Sequence, residues 1–247
     1  MGESVVSRVV RIVETFGSDT PALRVSDVAR RAGLHVATAS RLIEELCRHG
    51  WLERDDDRHV RIGVRLWELA SRASPTLGLR EAAMPFMEDL HAVVGHHTQL
   101  GVRQGHEVLF VERLSAPNAV LNITRVAGRL PLHVSSSGLV LLAHAPAEVQ
   151  EEVLAGPLPP RTPNTPAAVT EPAGLRRLLA GIRRDGYVVC PGFIDRETAG
   201  VAVPLRGPGE QVVAALSVIV PNDRHARAQV PALRAAAHGV SRVMSSR

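Results

Sequence analysis

The sequence predicts a mixed α+β and α/β protein of two domains, a small helical one ending in a β-hairpin and a larger one built on a mostly antiparallel sheet. Three patterns support this prediction. Helical periodicity covers most of residues 4 to 48, a strand–turn–strand pattern follows at 51 to 62, and strand patterns begin at residue 97. The 247 residues are 45% hydrophobic, so the chain can bury two cores. The predicted segments are a first domain at 1–63, a linker helix at 64–77 and a second domain at 78–247.

The first domain is predicted to hold three helices and the hairpin. The first helix covers "SVVSRVVRIVETF", residues 4 to 16, and "SDTPAL" interrupts it. The second, "DVARRA", follows Ser26, a good N-cap residue, and Gly33 is placed to end it in a left-handed turn. The third lies in "GLHVATASRLIEEL", and "GWLERDDDRHVRIG" then predicts a hairpin with an acidic turn. The first helix is predicted to carry one apolar face, formed by Val6, Val9, Val10 and Val13.

The third helix has a core-facing side at Ala39, Leu42, Ile43 and Leu46, but its first turn is small and polar. Two short helices joined by a turn and followed by a hairpin form the winged helix-turn-helix plan. In that plan the second of the two helices enters the DNA major groove with its N-terminal end leading. Small residues allow close approach to bases, hydroxyls bond to phosphates or bases, and arginine can bond to guanine. The predicted DNA-contacting residues are Ser26, His35, Ala37, Thr38, Ser40, Arg41 and Arg58.

The second domain is predicted to alternate strands with helices. "GVRLWELASRA" predicts a helix, "SPTLGL" a joint, and "REAAMPFMEDLHAVV" a long helix. The predicted strands are "HTQLGVRQ", "HEVLFVERL", "AVLNITRV", "GVAVPLR" and "QVVAALSVIV". The predicted helices are "SSSGLVLLAHA", "PAEVQEEVLA", "EPAGLRRLLAGIRRDG" and a closing helix at about 225–245. The Pro-rich residues 156 to 168 are predicted to form a loop.

Composition excludes several classes of protein. All 29 basic residues are arginine and the net charge is only +4, so any DNA-binding surface depends on where the charges lie. Cys47 and Cys190 lie far apart and predict neither a disulfide framework nor a zinc site. No signal peptide opens the chain, and its longest apolar runs are too short to span a bilayer. We therefore expect a soluble, cytoplasmic protein with no membrane contact, no metal and no cofactor.

The stretch "RLPLHVSSSGLVLLA" places Ser135, Ser136 and Ser137 at the start of an apolar helix. The free N–H groups and the dipole of a helix start favour an anion, so a small carboxylate is a reasonable ligand. Other interpretations stay open. The serines could only cap the helix, and Cys190 could be a catalytic thiol, although nothing orders a histidine beside it. A zinc site would rest on spacing alone, at His91, His96 and His97.

Four motifs occur in an order that covers nearly the whole chain. They are "DVARRAGLHVATASRLIEELCRHGWLERDDD", "RLPLHVSSSGLVLLA", "GYVVCPG" and "VAVPLRGPGEQVVAALSVIVPNDR". With this set the chain resembles the IclR-type transcriptional regulators. The resemblance implies a GAF-like effector-binding domain that takes a small organic acid at the serine-rich helix. Its ligand-contacting positions fall on Ser136, Ser137, Cys190, Gly200, Ser217 and Ile219, with Ser135 beside them.

The chain departs from the family pattern in both domains. The recognition helix keeps Thr38, Arg41 and Leu42 of the usual "LPKSTVHRLL" but differs around them, so the operator sequence cannot be carried over. In the pocket, the family has an acidic residue at position 190, a cysteine at 200 and a serine at 219. Cys190, Gly200 and Ile219 make this pocket more apolar, which favours a larger aromatic or aliphatic carboxylate.

The predicted function is a ligand-responsive transcriptional repressor of a catabolic or metabolic operon. Its predicted partners are double-stranded operator DNA, a small organic acid and a second copy of the chain, with a tetramer as an alternative to the dimer. Two other functions stay open. The winged helix could belong to a protein-interaction adaptor that does not touch DNA, or the second domain could be an enzyme on a GAF-like fold. An ordered acid–base or nucleophile pair would favour the enzyme, and the sequence shows none.

Overall fold

A computed structural model describes residues 3–17, 19–158, 162–165 and 169–246. These residues divide into two compact units, with the boundary between Leu77 and Gly78. None of the helices in the described part of the chain has the length and apolar content needed to cross a lipid bilayer. The predicted Pro-rich loop at 156–168 lies partly outside the described residues.

The first unit confirms the predicted helices and hairpin. Its helices are α1 (Val5–Val13), α2 (Val25–Arg31), α3 (Val36–Arg48) and α4 (Val64–Ala73). Its strands are β1 (Ala22–Leu23), β2 (Leu52–Arg54) and β3 (Val60–Ile62), in the antiparallel order β1-β3-β2. No local sequence pattern predicted β1, which pairs with one edge of the hairpin. The small core of the unit is aliphatic and centres on Ile12, Val28, Ile43, Leu52 and Val60.

Helix α1 does not bury the face that the sequence predicts. Its buried residue is Ile12, and Val9 packs beside it. Val6 and Val10, predicted to lie on the apolar face, are 70% and 47% exposed. The apolar residues of this short helix cover a broad part of its circumference. Ile12 lies at one side of that apolar surface, and the helix packs against the core through this side. Val6 and Val10 therefore form an exposed apolar strip on α1.

Helix α2 begins earlier than predicted, so the N-cap assignment of Ser26 is wrong. Arg24 occupies the N-cap position with no side-chain cap, and Ser26 is the second residue of the helix, exposed to solvent. The cause is strand β1, which pairs Leu23 with Val60 and leads directly into the helix start. Gly33 behaves as predicted. It adopts φ +61°, a left-handed conformation that glycine reaches without strain, between α2 and α3.

The second unit contains one six-stranded sheet. Its helices are α5 (Pro75–Val94), which begins just before the boundary, α6 (Ser136–Ala143), α7 (Ala147–Ala155), α8 (Pro172–Asp185) and α9 (Val230–Ser245). Its strands are β4 (His97–Gln104), β5 (Glu107–Ser115), β6 (Arg129–Pro131), β7 (Val188–Pro191), β8 (Thr198–Arg206) and β9 (Val212–Pro221). The order is β6-β5-β4-β9-β8-β7, and every described pairing is antiparallel. The predicted antiparallel sheet is confirmed.

The sheet is covered on both faces. Residues of α5 and α9 pack on one face, in a cluster that includes Met87, Leu100 and Leu233. Residues of α6 and α8 pack on the other face, in a cluster that includes Phe110 and Leu142. Because both faces are covered, the central strand β9 is apolar almost throughout, and its buried polar residue is Ser217. A polar group in that setting needs a hydrogen-bond partner.

Two predictions for the second domain are wrong in detail. The stretch "AVLNITRV", residues 119 to 126, is irregular rather than a strand, and the edge strand β6 follows it. His97 holds the beginning of this loop, because its Nε2–H donates to the Val120 carbonyl at 2.6 Å and its Nδ1 accepts from the Ser115 hydroxyl. The predicted joint "SPTLGL" is also shorter than expected, since α4 ends at Ala73 and α5 begins at Pro75.

Candidate functional site

The first turn of α3 is displayed to solvent, and the buried side of the helix is the one predicted. Ala39, Leu42, Ile43 and Leu46 are buried. His35 is the N-cap, and its Nδ1 accepts the N–H of Ala37 at 3.3 Å. Of the predicted DNA-contacting residues on this helix, His35, Ala37 and Arg41 are exposed and Thr38 and Ser40 are half-buried. Val36, which sequence reasoning did not select, is also exposed at the tip.

Two arginines of the first unit have exposed side chains with no described partner. The side chains of Arg41 on α3 and Arg58 in the hairpin turn form no hydrogen bond or ion pair with any residue that the structure describes. Arg58 adopts φ +62°, and the Asp55 carboxylate fixes the turn by accepting the N–H of His59 at 2.8 Å. The acidic residue at this position therefore organises the turn. A free guanidinium can bind a phosphate or a base edge without first breaking an ion pair.

The three serines at the start of α6 are buried and have three different partners. The Ser135 Oγ caps the helix by accepting the N–H of Gly138 at 3.1 Å. The Ser137 Oγ donates to the Ser217 Oγ at 2.7 Å. Ser136 is 3% exposed, and its hydroxyl has no hydrogen-bond partner among the described residues. Capping therefore accounts for one serine only, and Ser136 presents a free donor at a helix start.

A series of hydrogen-bonded polar side chains continues from Ser137 at this helix start. The Ser217 Oγ donates to the Gln99 Oε1 at 3.5 Å, and the Gln99 amide donates to the Thr124 hydroxyl. The Thr124 hydroxyl donates in turn to the Asn122 Oδ1 at 2.8 Å. Ser217, which the family resemblance places at the effector, is not among the residues that line the adjoining pocket. It is fully buried in the sheet and positions Ser137.

Cys190, Gly200 and Ile219 lie side by side on three neighbouring strands. Cys190 pairs with Gly200 across β7 and β8, and Gly200 pairs with Ile219 across β8 and β9. A Cβ atom on Gly200 would lie 2.6 Å from the Ser136 Oγ, so a larger residue here would force this hydroxyl to shift. Burial raises the pKa of the Cys190 thiol far above its ordinary value, which keeps it protonated and unreactive.

These elements line a pocket, which together with the adjoining solvent space occupies about 490 Å³. It is lined by Ser135, Ser136, Ser137, Cys190, Gly200 and Ile219, which the sequence analysis predicted, and by further residues that it did not. The missed residues are Gln99, Phe110, Leu121, Asn122, Ile123, Thr124, Val134, Phe193, Ile194, Asp195 and Thr198. Four of them come from the loop that was predicted to be a strand. Its alternating apolar pattern gave no sign that Leu121 and Ile123 would meet a pocket.

The composition of this pocket is typical of small-molecule sites. It combines an apolar lining with a few converging hydrogen-bonding groups, the usual composition of a small-molecule site. His97, one of the three histidines considered for a metal, bonds to Ser115 and to a backbone carbonyl. No group of three or more metal-ligating side chains occurs within the described parts of the chain.

Comparison with solved structures finds close likeness along the whole chain. An IclR homologue from Microbacterium hydrocarbonoxydans, crystallised in complex with 4-hydroxybenzoate, is 50% identical. The match covers 99% of this chain and 100% of that one, with a TM-score of 0.93. A second IclR homologue, from Microbacterium sp. strain HM58-2, is 47% identical with 99% of both chains covered and a TM-score of 0.65.

Sequence comparison identifies the same group of proteins. The HTH-type transcriptional regulator XynR of Escherichia coli K12 is 27% identical over 214 residues, which are 86% of this chain and 84% of XynR. The family model for the IclR helix-turn-helix domain matches residues 5–56, and the model for the bacterial transcriptional regulator IclR C-terminal domain matches residues 72–245. The chain therefore belongs to the IclR family of DNA-binding transcriptional regulators, a family of non-enzymes.

Proposed function

We propose that this protein is a homodimeric repressor of a catabolic or metabolic operon, acts in the cytoplasm and is controlled by a small organic carboxylate. In this proposal α3 and the β2–β3 hairpin read the operator. The effector occupies the pocket at the start of α6. Its binding shifts the population between operator-competent and operator-incompetent states of the dimer.

The exposed first turn of α3 supports the DNA contacts. Ala37 and Arg41 are exposed on the helix that the winged helix-turn-helix plan inserts into the major groove. Arg41 can bond to guanine or to a phosphate, and Arg58 can contact the DNA backbone from the hairpin. Ser26 is exposed near the N-terminus of α2, where a hydroxyl can bond to phosphate. The DNA sequence that the protein recognises depends on the combination of these side chains.

The free Ser136 hydroxyl is the observation that carries the effector proposal. It is almost fully buried, lines an apolar pocket and lies at a helix N-terminus that favours negative charge. A carboxylate would receive the Ser136 O–H together with backbone N–H groups. Phe110, Phe193 and Ile219 would surround a flat hydrocarbon body. The 50% identical neighbour was crystallised with 4-hydroxybenzoate, an aromatic acid of this kind.

Exposed apolar side chains on two helices support the homodimer. On α4, Val64 and Trp67 are 61% and 67% exposed, and α1 displays Val6 and Val10. Large apolar side chains grouped on one domain commonly mark a protein–protein interface. Sedimentation of the full chain should therefore give a dimer, and Trp67→Glu should shift it toward the monomer.

The effector site is tested by thermal shift with 4-hydroxybenzoate and with its amide. We expect the acid to raise the melting temperature of the wild-type protein and the amide to have little effect, because only the acid offers an anion to the helix start. Ser136→Ala should lose most of the response to the acid. Ser245→Ala, which removes an exposed serine at the end of α9, is the matched control. Equal responses to acid and amide would contradict the carboxylate site.

A further inference from the structure

Asp195 carries the only carboxylate among the described residues that line the pocket. It lies in the tip of the β7–β8 hairpin, where its backbone carbonyl accepts the N–H of Thr198 at 3.1 Å. Its Oδ1 accepts the N–H of Glu197 at 2.9 Å, which fixes the side chain. Its Oδ2 has no partner among the residues that the structure describes. The pocket therefore contains a fixed carboxylate with one oxygen able to accept a hydrogen bond.

Asp195 and the free serine border different parts of the β7–β8 hairpin. Gly200, which borders the Ser136 hydroxyl, pairs with Cys190 inside the hairpin. Thr198 also lines the pocket, and at about 3.3 Å per residue the strand advances roughly 6–7 Å from Gly200 to Thr198. The hairpin then turns through Asp195. The pocket thus has a donor end at Ser136 and an acceptor end at Asp195.

A ligand must match both ends. Its carboxylate is repelled by Asp195 and attracted to the α6 start, so the orientation of an acid is fixed. The atom that reaches Asp195 must donate a hydrogen bond, because a carboxylate only accepts. A hydrocarbon end would desolvate the Oδ2 without replacing its water. An ether oxygen would direct lone pairs toward the negative charge.

We propose that Asp195 is a specificity-determining residue that selects acids with a hydrogen-bond donor at the end opposite the carboxylate, above all hydroxy-substituted aromatic acids. The inference rests on the proposed function, because it takes the carboxylate to lie at Ser136. Hydrogen bonds to charged acceptors are stronger than neutral ones, and the expected preference is about 10-fold or more in Kd.

The experiment is calorimetric titration of the full chain with benzoate, 4-hydroxybenzoate and 4-methoxybenzoate. The wild-type protein should bind the hydroxy acid about 10-fold or more tightly than the other two acids. In Asp195→Asn the amide can still accept the Glu197 N–H through its Oδ1, but it places an NH₂ donor where Oδ2 was. This variant should lose the preference for 4-hydroxybenzoate and gain affinity for 4-methoxybenzoate.

Glu197→Gln is the matched control, because it removes a negative charge from an exposed side chain of the same turn. It should keep the wild-type order of affinities. Equal binding of all three acids to the wild-type protein overturns the role of Asp195 and leaves the carboxylate site intact. An Asp195→Asn variant that melts like the wild type and keeps its preference also overturns it. Failure of 4-hydroxybenzoate to bind the wild-type protein overturns this inference and the proposed effector site together.

Discussion

The two units build their candidate sites in opposite ways. In the first, most of the residues proposed to read DNA lie in the first two turns of one helix, between His35 and Arg41, and are exposed or half-buried. In the second, the pocket is assembled from strands, a loop, a hairpin tip and a helix start that are far apart in sequence. A local site depends on the side chains of one segment. An assembled site depends on how the fold brings several segments together, so a small change in any of them should alter it.

Arg41→Ala is the variant expected to have the largest effect, and it should affect only the first unit. A base contact of this kind is worth about 1–3 kcal/mol, and a dimer loses it twice, so operator affinity should fall about 30-fold or more. The measurement is fluorescence anisotropy at fixed salt, with DNA selected from a random pool by the wild-type protein. Arg184→Ala, which removes an exposed arginine paired with Asp185, is the charge control. Unchanged operator affinity in Arg41→Ala would remove this residue from the DNA surface.

Gly200→Ala tests the assembled site at its tightest point. The new Cβ would lie 2.6 Å from the Ser136 Oγ, so the hydroxyl must shift. Overpacking of this kind costs about 1–3 kcal/mol of unfolding free energy, and effector affinity should fall about 10-fold or more. Gly78→Ala is the control, since its Cβ meets no atom within 4 Å and alanine favours the helix. A Gly200→Ala variant with wild-type stability and effector affinity would show that the pocket is not closely fitted here.

Ser137→Ala should have a smaller effect, because its hydroxyl is already bonded to Ser217. Loss of this buried hydrogen bond should lower the unfolding free energy by about 1 kcal/mol. Effector affinity should fall less than in Ser136→Ala. Denaturant melts and calorimetry on both variants make the comparison. A greater loss of affinity in Ser137→Ala than in Ser136→Ala would show that Ser137, and not Ser136, makes the main effector contact.

The smallest expected effect is on pH dependence. Burial lowers the pKa of His97, His133 and His144 in the second unit. Below their ordinary pKa of about 6.5 the unfolded chain binds more protons than the folded one, so stability is lost as the pH falls. The melting temperature should thus be lower at pH 5.5 than at pH 7.5. His133→Gln should reduce this difference, whereas His49→Gln, at an exposed position of the first unit, should not. If His133→Gln leaves the difference in melting temperature between the two pH values unchanged, His133 does not contribute to the pH dependence.

The same contrast explains what the sequence could predict. The buried face of α3, with Ala39, Leu42, Ile43 and Leu46, follows from helical periodicity, and the turn at Gly33 follows from its backbone freedom. Both depend on neighbours within a few residues. The N-cap at Ser26 was wrong because strand β1 pairs with β3, a contact that no local pattern reveals.

In the pocket, pattern reasoning found the serine-rich helix start, and the family resemblance supplied Cys190, Gly200 and Ile219. The loop residues Leu121 and Ile123 were missed because their alternation is also that of a strand. Asp195 had no local signal either. Its importance arises only when the hairpin places it across the pocket from Ser136.

In the proposed function, an acid held at Ser136 controls DNA binding by the other unit. The direct measurement is the operator Kd by anisotropy, with and without 4-hydroxybenzoate, for the wild-type protein and Ser136→Ala. We predict that the acid weakens operator binding by the wild-type protein. Ser136→Ala should bind the operator as tightly as the wild type does without ligand, but respond only at much higher concentrations of the acid. A Ser136→Ala response at the wild-type concentration would contradict the account.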